Sequence, residues 1–114
     1  MVVRAIGAID SMTLLEALPE LVRDIEGSLV RLGRGAVADQ LRVAKLEAWD
    51  YDDFAQSTYL DLVATRDPSA VNEVISLYDD IGVNLDLDRD GRILGIEVMG
   101  YEESFSRLGK SVGR

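Results

Sequence analysis

The run "DLDRDGRILGIE", residues 86–97, holds the densest set of chemistry-bearing side chains in the sequence. Asp86, Asp88 and Asp90 alternate, Gly91 follows and Glu97 closes the run, with Ile93 at the one apolar position of an EF-hand calcium loop. Oxygen-rich spacing of this kind suits a hard cation such as Ca²⁺. The same letters also fit a β-hairpin turning on "DRDG", and the flanks favour that reading. Ile81, Val83, Leu85 and Leu87 alternate with Gly82, Asn84, Asp86 and Asp88. Leu94, Ile96 and Val98 alternate with Gly95, Glu97 and Met99. A period of two places one set on a buried sheet face and the other toward solvent. An EF-hand needs a helix on each side, yet Gly82, Val83 and Asn84 are weak helix formers, and Leu94 occupies a usually polar loop position. The expectation is therefore a type I turn with Gly91 in the left-handed conformation, forming a bulge. No metal or cofactor is assigned. A calcium-binding module through Asp86, Asp88, Asp90 and Glu97 is the alternative.

The chain has no cysteine and no histidine. That removes thiol chemistry, the commonest general base and the commonest transition-metal ligand. The pairs Asp52–Asp53 and Asp79–Asp80 have the residue types for general acid–base work. Both fall in turn segments, where Asp bonds its own backbone. "GRG" at 33–35 lacks the Lys-Ser/Thr that a phosphate loop needs. No catalytic residue is assigned, and the chain is read as a non-enzyme. An uncharacterised small enzyme using only carboxylates, Tyr, Ser or Lys is the remaining catalytic reading.

Lys and Arg total 12 against 21 Asp and Glu, a formal charge of −9. That charge repels nucleic acid and anionic membranes and steers the chain toward a basic protein. It also serves solubility alone. Arg4, Arg23, Arg31, Arg34 and Arg42 are scattered among acids and form no nucleic-acid stripe. Trp49, Tyr51, Phe54 and Tyr59 cluster beside acidic residues, as core or as anchors for a partner. The expected partner surface is Trp49, Asp50, Tyr51, Asp52, Asp53, Phe54, Asp79 and Asp80. Together these features point to an acidic, non-enzymatic protein-binding domain. Its concrete form is an immunity protein or antitoxin that neutralises a basic toxin by covering its substrate site. "MVVRAIGAID" is too short and broken for a secretory signal, and no apolar run reaches membrane-spanning length, so a cytoplasmic location is expected.

These residues need a scaffold. A length of 114 residues and 47% hydrophobic content suit a single domain with its own core. Residues 11–41 read as a helical segment, 42–100 as a β-meander and 101–114 as a frayed tail. Ser11 is the expected N-cap. Leu14, Leu15, Leu18, Leu21, Val22, Ile25, Leu29 and Leu32 recur at helical spacing. Pro19 is expected to restart the helix, Gly33 and Gly35 to stop it, and 36–41 to add a second short helix. The stripe packs on the sheet of the same chain, or on a second copy in a homodimer. Val43–Trp49 and Thr58–Val63 read as strands around "DYDDFAQ", followed by the loop "TRDPSAVNE" and a short run at Val74–Tyr78. The fold class is α+β, an N-terminal helical segment packed on an antiparallel β-meander of about four strands.

Two pieces, "YDDFAQSTYLDL" at 51–62 and "DDIGVNLDLDRDGRILGIEVM" at 80–99, resemble a bacterial family of small domains of unknown function. The shared pattern is a Tyr-Asp turn, a Tyr-Leu strand, and a Gly-Val-x-Leu-Asp…Asp-Gly-Arg hairpin ending in Gly-Ile-Glu-Val. The chain departs from that pattern at Phe54 and Gln56, and its helical N-terminal third lies outside it. The resemblance implies a β-meander with no known catalytic residues, and supplies no ligand or substrate.

Overall fold

A computed structural model describes residues 2–6, 12–52, 57–65, 67–77 and 82–99, with the backbone alone for 2–6 and 52. Thr13, rather than the expected Ser11, caps the first helix, α1 (Leu14–Ala17); Ser11 lies outside the described residues. The Thr13 hydroxyl accepts from Glu16 N at 3.1 Å, and the Glu16 carboxylate accepts from Thr13 N at 3.0 Å. This reciprocal pair satisfies two helix-end donors. The backbone bond, then the hydroxyl bond, from Thr13 hold the Glu16 carboxyl below its ordinary range. A depressed carboxyl stabilises the fold at neutral pH, and loses that contribution as pH falls through its folded value.

Pro19 divides the apolar stripe. It opens α2 (Pro19–Arg31) as a first-turn residue, where its missing N–H leaves no bond unmade. Leu14, Leu18, Leu21, Val22, Ile25 and Leu29 are buried as the stripe predicts. Leu32 is not, being 57% exposed. The helix stops at Arg31 because Gly33, at φ 76°, reverses the chain, with Arg34 N bonding Leu29 O at 2.8 Å and Gly33 N bonding Val30 O at 3.0 Å. Those two bonds form a Schellman motif. A further helix, α3 (Gly35–Leu41), buries Val37, Ala38 and Leu41.

Among the described residues six strands, rather than about four, make the sheet: β1 (Val2–Ile6), β2 (Ala48–Asp52), β3 (Ser57–Asp61), β4 (Glu73–Leu77), β5 (Gly82–Leu87) and β6 (Ile93–Met99). Their order is β1-β2-β3-β6-β5-β4, antiparallel throughout. β2 starts at Ala48, not Val43. Residues 42–47 are spent leaving α3 and reaching the sheet, so Val43 is 76% exposed. Two three-stranded units, β1-β2-β3 and β4-β5-β6, join along β3 and β6. The connection from β3 to the far edge must therefore pass β6 and β5. Residues 62–65 and 67–72 lie on that crossing, with a 3₁₀ turn at Pro68–Ala70 capped by Asp67.

Leu60, Val83, Leu85, Leu87, Ile96 and Val98 face the helices and share one core with the buried stripe. Alternate positions turn the other way. Two rows run across this outer face by register: Asp50, Tyr59, Glu97, Asn84, Ser76, and beside them Asp61, Gly95, Asp86, Val74. Among the described residues, no helix is long and apolar enough to cross a membrane.

Candidate functional site

The run 86–97 folds as strand, turn, strand. Gly91 adopts φ 83°, Asp88 N bonds Arg92 O at 2.9 Å and Gly91 N bonds Asp88 O at 3.1 Å. Asp88 Oδ1 also accepts from Asp90 N and from Arg92 N, each at 2.9 Å. Asp88 is thus spent on shaping the turn, as short acidic side chains are in such loops. A contact from the helical layer fixes the turn further. Gln40 of α3 donates to Gly91 O at 2.7 Å and accepts from Ile93 N at 2.9 Å. Sequence periodicity gives no sign of this clamp, since Gln40 is merely a polar residue in a short helix.

Gly91→Val is expected to destabilise by roughly 1 kcal/mol or more, because a β-branched residue resists positive φ. A Cβ built there meets no atom within 4 Å, so the cost is conformational rather than steric. Urea unfolding checks it. A valine variant as stable as the parent would show that the turn does not need the left-handed residue.

The acidic side chains of the calcium pattern are divided by this geometry. Asp88 and Asp90 sit at the turn, while Asp86 and Glu97 stand on the outer sheet face in different rows. Asp86 Oδ2 accepts from the Tyr59 hydroxyl at 2.8 Å. Glu97 Oε1 accepts from Asn84 Nδ2 at 3.0 Å, and Asn84 Oδ1 accepts from the Ser76 hydroxyl at 2.7 Å. Among the described residues, no three acidic side chains are grouped so as to hold a metal. Millimolar calcium is expected to leave the melting temperature unchanged. A folded-state site saturated a hundredfold above its Kd would add about 2.7 kcal/mol. Stabilisation by calcium that Asp88→Asn abolishes would contradict this account.

The hairpin carries one irregularity. Register shifts between Asp86 and Leu87, so that Ile93 pairs with Leu87. Ile93, at 3% exposure, therefore enters the core, and the expected alternation through Leu94 begins only at Ile96. Leu94 instead lines a cavity of about 190 Å³ with Tyr59, Val63, Asp67, Pro68, Val71 and Asp86. A bulge re-aims side chains in this way. Gly95, next to it, supplies the space Tyr59 needs, because a Cβ on Gly95 would overlap the end of the tyrosine ring.

The expected partner residues are only partly brought together. Trp49 points into the core at 2% exposure, beside Leu60 in register, and so is not an exposed anchor. Tyr51 is half-buried and packed on the same core. Asp50 faces outward but is only 8% exposed, as is Asp61 at 2%. The Asp52 side chain, Asp53, Phe54, Asp79 and Asp80 lie outside the described residues, as does the tail 101–114. What the sequence reading missed is the outer face as one unit, with Tyr59, Asp61, Asn84, Asp86, Gly95 and Glu97 in adjacent rows. The signal was present in the polar positions of the alternating runs. The pairing of β3 with β6 was not.

Elsewhere, charges are arranged as local ties. Arg34 donates to both Glu73 oxygens at 2.9 Å, linking the start of α3 to the edge strand β4. That bond holds the Glu73 carboxyl below its ordinary value and raises the Arg34 guanidinium. Arg42 pairs with Glu26 at 2.9 Å.

No curated protein and no solved structure matches the chain. Residues 49–101 match the model of a family described as "Protein of unknown function (DUF2283)", a span that begins in β2, runs through the outer-face rows and leaves the three helices outside.

Proposed function

We propose that the chain is a non-enzymatic protein-binding domain whose outer sheet face meets a basic protein. The carrying observation is the composition of that face. Its rows carry Asp50, Asp61, Asp86 and Glu97, of which Asp86 and Glu97 are partly exposed, and β2 to β6 contain not one Lys or Arg. The carboxylates are ordered rather than loose, since Asp86 is held by Tyr59 and Glu97 by Asn84. Ordered charge of one sign speeds encounter with an opposite surface and fixes its register. The concrete version is an immunity protein or antitoxin acting in the cytoplasm and covering the substrate site of a cationic toxin. The formal charge of −9 and the lack of His and Cys support it.

The test is capture of partners by the tagged chain at low and high salt, repeated with Asp86→Lys/Glu97→Lys after circular dichroism has shown the variant folded. A basic protein is expected at low salt, released by high salt and lost in the double variant. An acidic partner, or binding indifferent to salt and charge reversal, would overturn the reading.

A further inference from the structure

The 62–72 crossing creates a feature that charge alone does not explain. Where it passes over β6 and β5 it leaves the cavity of about 190 Å³ described above, opening on the outer face. We propose that this cavity is a socket for a single arginine side chain of the protein partner. The inference rests on the protein-binding reading and names the chemistry that the face recognises.

The lining is of two kinds. Val63, Pro68, Val71 and Leu94 make apolar walls, while Tyr59, Asp67 and Asp86 supply the polar atoms, and among the described lining residues none is basic. A long cationic side chain needs this combination, with an apolar sleeve for its methylene stem and acceptors for its head. Both carboxylates are pre-positioned through one oxygen. Asp86 Oδ2 takes the Tyr59 hydroxyl at 2.8 Å, and Asp67 Oδ1 takes Ser69 N at 3.1 Å and the Ser69 hydroxyl at 2.6 Å. A carboxylate has about four acceptor positions, so each retains capacity for an incoming donor. Two carboxylates on different elements favour a planar guanidinium with five donors over the compact, strongly hydrated ammonium of lysine. Size argues the same way. Cavities for free small molecules run to about 300–1,000 Å³, and this one suits a single side chain. Arginine seated in a desolvated pocket is also a common energetic anchor of protein interfaces.

The probe is N-acetyl-arginine methylamide, titrated into the full chain while backbone amide shifts are followed by NMR. Saturable shifts are expected at Tyr59, Val71, Asp86 and Leu94. The lysine analogue should bind several-fold more weakly, and the norleucine analogue should leave these amides unmoved. Asp86→Asn, which keeps the side-chain shape, should weaken the arginine response at least tenfold. Asp67→Asn, at the exposed rim, should weaken it less and guards against a folding defect in the first variant. Absence of saturable shifts at these amides overturns the socket, as does an equal response to norleucine or an arginine response untouched by both variants. The two readings fail separately. A basic partner that Asp86→Asn binds undiminished, but Glu97→Lys does not, would remove the socket and keep the acidic face. Arginine binding in the socket of a chain that captures no basic protein would keep the socket and remove the protein-binding reading.

Discussion

Ile25→Ala is expected to cost about 2–5 kcal/mol of folding stability, through lost transfer energy and the cavity left behind. Ile25 is fully buried in α2, one turn from Leu21 and from Leu29, and its side chain belongs to the single core that joins the helices to the sheet. Leu32 gives the matched control. It lies on the same nominal stripe but is 57% exposed beyond the helix end, so Leu32→Ala should change stability by less than about 0.5 kcal/mol. Urea midpoints of the two variants, with m-values compared to confirm that the unfolding transition is unchanged, decide the matter. Equal losses at the two positions would mean that the stripe packs differently from the structure, for example against a second copy of the chain.

Gly95→Ala should cost about 1–3 kcal/mol, although it adds only one methyl group. The added carbon would overlap the Tyr59 ring where it crosses β6, and the ring can move away only by giving up its bond to Asp86. A double-mutant cycle separates this from the general effect of alanine in a strand. With Tyr59→Ala in place the methyl meets no ring, so the glycine substitution should then be nearly neutral, and the two effects should fall well short of additive. Strict additivity would show that Gly95 is needed for some reason other than Tyr59. The same substitution should disturb the socket, because Tyr59 both lines it and holds Asp86.

What could be read from the sequence is what short-range chemistry decides. The turn at 88–92 followed from "DRDG", since an Asp that bonds nearby backbone and a Gly that accepts positive φ act within four residues. The stripe through Leu21, Ile25 and Leu29 followed from helical period, and Pro19 was read as a restart because its ring fits only the first turn. The errors lie where distant segments decide. Val43 has strand-like neighbours, but α3 and the Thr13–Lys45 bridge hold that stretch away from the sheet. β1 exists only through its pairing with β2, and a five-residue run carries too little pattern to announce itself. Leu94 fits the alternation of its strand, yet a bulge sends Ile93 inward in its place. Trp49 sits beside acids in sequence, but the strand period puts its neighbours outward and its own ring inward. For the same reason the candidate surface shifted. Local clustering suggested the first turn, whereas the register of β3 against β6 assembles the outer face from residues far apart in the chain.

The most direct test of that face is to map the captured basic partner onto the chain by NMR, following amide shifts as unlabelled partner is added to labelled protein. The account predicts that the largest shifts fall on Tyr59, Asn84, Asp86 and Glu97 and along 62–65 and 67–72, and that they shrink as salt is raised. Shifts confined to α2 and α3, with the outer rows unmoved, would contradict it.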